Sequence, residues 1–322
     1  MTGSLRVWLA FSAKLLVTIL LLAWLLTSVD WSKFTQILIQ TPALPLLFAV
    51  VLLTTTFIPV AKRWQLIVRA LGSKLAYLEA LRVTSLTALI NQCVPSNLGG
   101  DAYRVLAVTQ QGMAWKRALL AAFIDRFIAL FALAIVALAG VMIIFDTAGA
   151  ADYALLTIGG AGALVVCVIA AWFALRSRVV AQLANRVEVL KRLLEVLADL
   201  LHKPGQAAVL VCLSLAVHCI TVIVMATVAM STGLDLPLLP ILGVCAVGLL
   251  LARLPISIGG WGVREGAYVI AFNAFGVTRE AALAASITYG LTELVMAILG
   301  GLAWLFVTGS GREGADEGNV RE

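Results

Sequence analysis

The chain has 322 residues, 62% hydrophobic and only 12% charged, with a mean hydropathy of +1.05. Soluble domains are about half apolar and about a quarter charged. This composition leaves no room for a large soluble domain and points to an all-α polytopic membrane protein. The net charge of +6 is read as a matter of membrane orientation, not of nucleic-acid binding.

Apolar runs of about 20 residues, enough to cross a bilayer, fall at 7–29, 43–61, 117–145, 153–175, 206–231 and 279–308. No small-residue cleavage site follows the first, so it is read as a retained span. Two further apolar regions, about 76–112 and 237–276, are interrupted. The first contains PSNLGGDAYR at 95–104 and the second PISIGGWGVR at 255–264. Each is predicted to be two half-helices meeting at a break. Pro95, Gly99, Gly100 and Arg104 recur as Pro255, Gly259, Gly260 and Arg264, at an offset of 160 residues. The same offset carries 43–61 onto 203–221 and 117–145 onto 277–305. The single transmembrane domain, 1–308, thus divides into halves at about 1–150 and 151–308. Each half is expected to hold two spans, a broken hairpin and a third span. Three crossings per half is odd, so the second half is expected to be inverted. Inverted repeats with broken helices are a signature of membrane transporters.

With a cytoplasmic N-terminus, the loop cations divide 15 to 2 in favour of the cytoplasm. The inner group includes Lys62, Arg63, Arg69, Lys74, Lys116 and Arg117; only Lys33 and Arg279 fall outside. This predicts a cell-membrane protein with both termini cytoplasmic and with hairpins re-entering from opposite sides. Residues 178–203 read as an amphipathic helix on the membrane surface, and 309–322 as a disordered tail.

Charges inside a bilayer cost several kcal/mol and face cavities or partners. The first cluster is Asn91, Gly99, Gly100, Asp101, Arg104, Asp125 and Arg126. A helix beginning near Gly100 offers free N–H groups, and glycine permits close approach, which suits an anion. Arg104, one turn on, adds a bidentate donor set. Asp125 is its favoured partner. Asp125 and Arg126 point about 100° apart and are expected to reach different neighbours. Asn91 is expected to cap the break. The second cluster is Arg253, Gly259, Gly260, Arg264, Glu265 and Glu293, with Glu293 expected to pair with Arg264 or Arg253. Trp261 is either a ligand wall or an interfacial anchor. Cys93, Cys167, Cys212, Cys219 and Cys245 lie in apolar segments. Neither a disulfide framework nor a metal site is expected, the neighbours His218 and Cys219 included, and no cofactor is implied.

The run P-x-S-x-G-G-W-G-V-R-E from Pro255 to Glu265 resembles the hallmark of the flippase-like membrane proteins. These are related to the transmembrane region of lysylphosphatidylglycerol synthase. Asn91, Pro95, Gly100, Asp101, Arg104, Asp125 and Arg126 fit the same family, and the resemblance extends to about residue 308. It implies a lipid-handling protein. In the full-length synthases this region moves aminoacylated phosphatidylglycerol between leaflets, while a soluble domain attaches the amino acid. That domain has no counterpart in this chain, so aminoacylation is not implied.

The leading expectation is a lipid flippase or transporter for an anionic or phosphate-bearing lipid, and not an enzyme. Alternatives are a non-catalytic membrane partner of a lipid-modifying enzyme, or a membrane-embedded lipid-linked transferase. The expected partners are membrane lipids, with a lipid-synthesising enzyme or glycosyltransferase as a candidate protein partner. No nucleic acid is expected, and the oligomeric state is open.

Overall fold

Among the described residues four helices are long and apolar enough to cross a membrane: Ala43–Ala70, Trp115–Thr147, Pro204–Ser231 and Arg279–Trp304, with mean hydropathies of 2.2, 3.0, 2.6 and 1.7. The computed structural model describes Leu16, Ile19, Ala23, Thr27 and residues 29–93, 99–148, 203–252 and 262–316, with side chains to Trp304. Among these residues the order is α1 (Trp31–Gln40), α2 (Ala43–Thr54), α3 (Phe57–Ala70), α4 (Tyr77–Cys93), α5 (Gly99–Gln110), α6 (Trp115–Ala148), α7 (Pro204–Ser231), α8 (Leu238–Ala252), α9 (Val263–Asn273) and α10 (Arg279–Asp316). The chain is a multi-pass helical membrane protein. The expected spans 7–29 and 153–175 and the surface helix 178–203 lie essentially outside the described residues.

The first described span runs past the predicted 43–61. At its middle the hydroxyls of Thr54, Thr55 and Thr56 donate back to the carbonyls of Val50, Leu52 and Leu53. Such back-bonding competes with the helical ladder and separates α2 from α3. Beyond it, α3 buries Phe57, Ala61, Trp64 and Val68 along one face, with Arg63 and Ile67 buried beside them. Helical periodicity thus carries the chain nine residues beyond the end of the apolar run. At the other terminus α10 continues to Asp316, into the tail expected to be disordered from 309. Extending a formed helix is far easier than nucleating one.

The interrupted regions form antiparallel helix pairs. At one end of the first, Asn91 Oδ1 accepts from the Gly100 N–H at 3.0 Å. At the other, Gln111 donates to Glu79 at 3.2 Å. With 17 and 12 residues, α4 and α5 span about 25 and 18 Å, short of the roughly 30 Å hydrocarbon core. In the second pair, Tyr268 on α9 donates to the Cys245 carbonyl on α8 at 3.3 Å. Its ring lies against Gly248, where any side chain would collide with it.

Among the described residues α2–α3, α4, α5, α6 and then α7, α8, α9, α10 follow the same order of long, short, short and long, with glycine turns at matching places. Gly72 follows α3 with φ 84° and Gly233 follows α7 with φ 83°; Gly112 follows α5 with φ 93° and Gly276 follows α9 with φ 78°. In each, the next N–H reaches back five residues: Ser73 to Val68, Leu234 to Ala229, Met113 to Val108 and Val277 to Phe272. This is Schellman closure, which needs a left-handed residue. Arg117, early in α6, lies beside Gly72 just ahead of α4, whereas Gly140, late in α6, packs on Gly243 early in α8. The outer ends of the two helix pairs therefore lie at opposite ends of α6. Leu47, Phe48, Phe127, Phe131 and Met142 remain exposed on the outside, which suits a surface facing acyl chains.

A Cβ at Gly140 would sit 2.7 Å from that of Ala246 and 2.8 Å from the Gly243 carbonyl oxygen, whereas one at Gly266 meets nothing within 4 Å. Gly140→Val is expected to destabilise the protein by about 1–3 kcal/mol through overpacking. Gly266→Ala should be neutral or slightly stabilising. Unfolding midpoints in detergent check both.

Candidate functional site

The first cluster is organised by Asp125, ten residues into α6. Its carboxylate takes a bidentate pair from Arg63 on α3, with Nε to Oδ1 at 2.7 Å and Nη2 to Oδ2 at 3.1 Å. Arg104 on α5 donates from Nη1 to the same Oδ2 at 3.1 Å. The remaining Arg63 nitrogen, Nη1, donates to Ser214 Oγ on α7 at 2.9 Å, while that hydroxyl donates to the Leu210 carbonyl. Three helices thus meet on one aspartate, and α7 joins them through Arg63. Arg63, Arg104 and Asp125 are all buried, their side chains 5%, 9% and 5% exposed. The Arg104 guanidinium also lies over the Trp64 ring, 5.4 Å from its centroid. Arg126, turned away from its neighbour Asp125, donates to Asp101 at 2.7 Å. Among the described residues three arginines here face two aspartates, a surplus of one positive charge.

Two members of the first cluster serve the backbone. Asn91 caps the opening turn of α5 through the Gly100 N–H. Gly100 allows the close approach, because a Cβ there would lie 2.6 Å from both Asn91 Oδ1 and Thr87 Cγ2. Gly99 opens α5, partly buried.

The second cluster is wired differently. Glu265 is fully buried. Its Oε2 accepts from the Gly262 N–H at 2.6 Å, closing the N-terminus of α9. Its Oε1 takes Nε and Nη2 of Arg264 at 3.0 and 2.7 Å. The angle that keeps Asp125 and Arg126 apart does not separate this adjacent pair, whose longer side chains fold back on each other. Arg264 Nη1 reaches Glu293 at 3.0 Å, and the Tyr289 hydroxyl donates to the other Glu293 oxygen at 3.0 Å. One arginine here meets two glutamates. Arg253, Gly259, Gly260 and Trp261 lie outside the described residues. His218 is satisfied by the Ala129 carbonyl at 2.9 Å, and no metal-binding group of side chains occurs among the described residues.

Sequence reading paired Asp125 with Arg104, and Glu293 with Arg264 or Arg253; the contacts Asp125–Arg104 and Glu293–Arg264 are present. It placed Arg63 in a cytoplasmic loop, which is incorrect: Arg63 is 4% exposed inside the bundle and is the principal partner of Asp125. It also passed over Trp64 and Ser214. The available signal was the Phe57, Ala61, Trp64, Val68 spacing, which continues a helix through the charged residues.

The three buried side chains differ in what their removal leaves behind. Without Arg63, Asp125 loses its bidentate partner and keeps a single hydrogen bond, from Arg104 Nη1. Without Arg104, a neutral bidentate pair remains. Breaking a buried pair costs about 3–5 kcal/mol. Arg63→Gln and Asp125→Asn are expected to lose about that much, and Arg104→Gln far less. Unfolding midpoints in detergent check the ranking.

No curated protein matches the chain. The family model described as "Lysylphosphatidylglycerol synthase TM region" matches residues 11–301. That match takes in both helix pairs and every residue of the two clusters, and the chain belongs to this family of lipid-related integral membrane proteins.

Proposed function

We propose that the protein moves a lipid bearing an anionic phosphate headgroup between membrane leaflets. The observation that carries this reading is the surplus arginine. Asp125 is already neutralised by a bidentate Arg63, yet a second arginine is buried against it. A buried cation in excess of its partners is costly, and an incoming phosphate would compensate it. Membership of a family named for a phosphatidylglycerol-derived lipid agrees with such a headgroup. A recess of about 330 Å3, lined by Ile58, Pro59, Lys62, Tyr77 and Leu213, supplies an apolar wall between α3, α4 and α7. Lys62 and Leu213 directly precede Arg63 and Ser214 in sequence. An acyl chain would keep to this wall while its headgroup reaches the arginines.

In this reading the two helix pairs are re-entrant hairpins of an inverted repeat, one opening to each leaflet. Their outer ends at opposite ends of α6 and the recurrence of the glycine turns support it. Arg69, Lys74 and Arg117 near the outer end of the first pair favour the cytoplasm for that end. The proposed activity is transport, not group transfer. In liposomes containing a headgroup-labelled anionic phospholipid, the wild-type protein is expected to expose label from the inner leaflet. Arg104→Gln should lose most of that activity while keeping its fold. Wild-type rates in Arg104→Gln would remove the site assignment, and the absence of transport by the wild type would remove the function.

A further inference from the structure

Buried polar atoms in folded proteins nearly always find partners. Near the surplus arginine, three do not. Trp64 Nε1, Thr84 Oγ1 and Arg104 Nε have no hydrogen-bond partner among the described residues, although the three residues are only 0%, 3% and 7% exposed. They also lie together. The Arg104 guanidinium covers the Trp64 ring. Thr87 on α4 faces Gly100 on α5, its Oγ1 3.5 Å from the Gly100 carbonyl oxygen. Thr84 is one turn before Thr87 and Arg104 one turn after Gly100, so in an antiparallel pair they share the facing sides one turn further from the break.

The chemistry of the three atoms is one-sided. An indole N–H and a guanidinium Nε–H can only donate, and a threonine hydroxyl readily does so. Neighbouring acceptors are taken: Asp125 by two arginines, and Asn91 Oδ1 by Gly100. We propose that Trp64, Thr84 and Arg104 form a donor-lined recess that receives the phosphate oxygens of a phosphodiester. This rests on the anionic-headgroup reading above and adds two contact residues and a charge class to it. The class follows from the count: among the described residues Arg63, Arg104 and Arg126 face Asp101 and Asp125, one net positive charge. A phosphodiester monoanion brings the site to neutrality, whereas a phosphomonoester dianion leaves a buried negative charge.

The test compares thermal unfolding of the purified protein in maltoside micelles with and without phosphatidylglycerol, dimethyl phosphate or phosphatidic acid. The wild type is expected to be stabilised by phosphatidylglycerol and less by phosphatidic acid. Stabilisation by dimethyl phosphate as well assigns the recess to phosphodiesters from either source. Stabilisation by the lipid alone assigns it to a lipid headgroup. Thr84→Val and Trp64→Phe each remove one donor to a charged acceptor and should weaken binding about tenfold or more. Thr84→Val keeps the side-chain shape and should not lower the unliganded midpoint, since it deletes an unsatisfied group. Trp64→Phe leaves a cavity in both states, so its ligand-induced shift is the readout. If both variants keep the full shift while Arg104→Gln loses it, the recess is overturned and the headgroup reading stands. If no phosphate compound shifts the wild type, both fall. A shift with phosphatidic acid as large as with phosphatidylglycerol overturns the charge class.

Discussion

The structure turns on the carboxylate of Asp125. An ionised group this deep in an apolar bundle is tolerated only if its lone pairs are filled and its charge opposed. Arg63 does most of this with two parallel contacts, the strongest geometry available to such a pair. Because Arg63 comes from α3, Asp125 from α6, Arg104 from α5 and Ser214 from α7, satisfying one charge fixes the relative heights of four helices. The first helix pair is positioned through the same group, since α5 is one of its two members.

The two proline–glycine–arginine stretches are alike in sequence and unequal in use. Arg104 joins a carboxylate that another arginine already holds. Arg264 meets two carboxylates, one of which also closes the N-terminus of its own helix. The first arrangement leaves positive charge to be answered from outside. The second is an ion-pair network joining α9 to α10, in which Tyr289 also donates to Glu293. A shared order of helices and glycine turns therefore does not imply shared binding chemistry. Arg264 and Glu265 hold an element in place, and Arg104 is the better candidate to meet a ligand.

Much of this was legible in the sequence. Four of the predicted spans correspond to long apolar helices, because a run of about 20 apolar residues has few alternatives in a bilayer. The ends of α4 and α8 were legible because a proline follows each apolar run, and proline disfavours continuation of a helix from the residue before it. The pairing of Asp125 with Arg104, and of Glu293 with an arginine of the second cluster, followed from the need of buried charges for partners. Arg63 was not legible by the same logic. Hydropathy averages over a window, and the Lys62–Arg63 pair ends an apolar run whether or not the helix ends. Only the spacing of Phe57, Ala61, Trp64 and Val68 carries the continuation. The role of Glu265 was hidden for another reason: a carboxylate that caps its own helix and one that awaits a substrate look the same in one dimension.

Stability alone does not account for Arg104. Arg63 and Asp125 form a neutral pair that Ser214 completes, and nothing in that pair calls for a second guanidinium. Adding one buries a further charge at a cost of several kcal/mol, offset in part by its contact with Asp125 and its stacking on Trp64, a contact worth about 0.5–2 kcal/mol. The unfilled donors on Arg104, Trp64 and Thr84 add to the cost. Nor does the bundle relieve the strain by opening: the close approach of α4 and α5 at Gly100 holds Arg104 against α4 and α3. On the reading proposed above, a site kept cationic and short of acceptors, in a chain with exposed apolar side chains, would suit a ligand with acceptor oxygens at one end and hydrocarbon at the other.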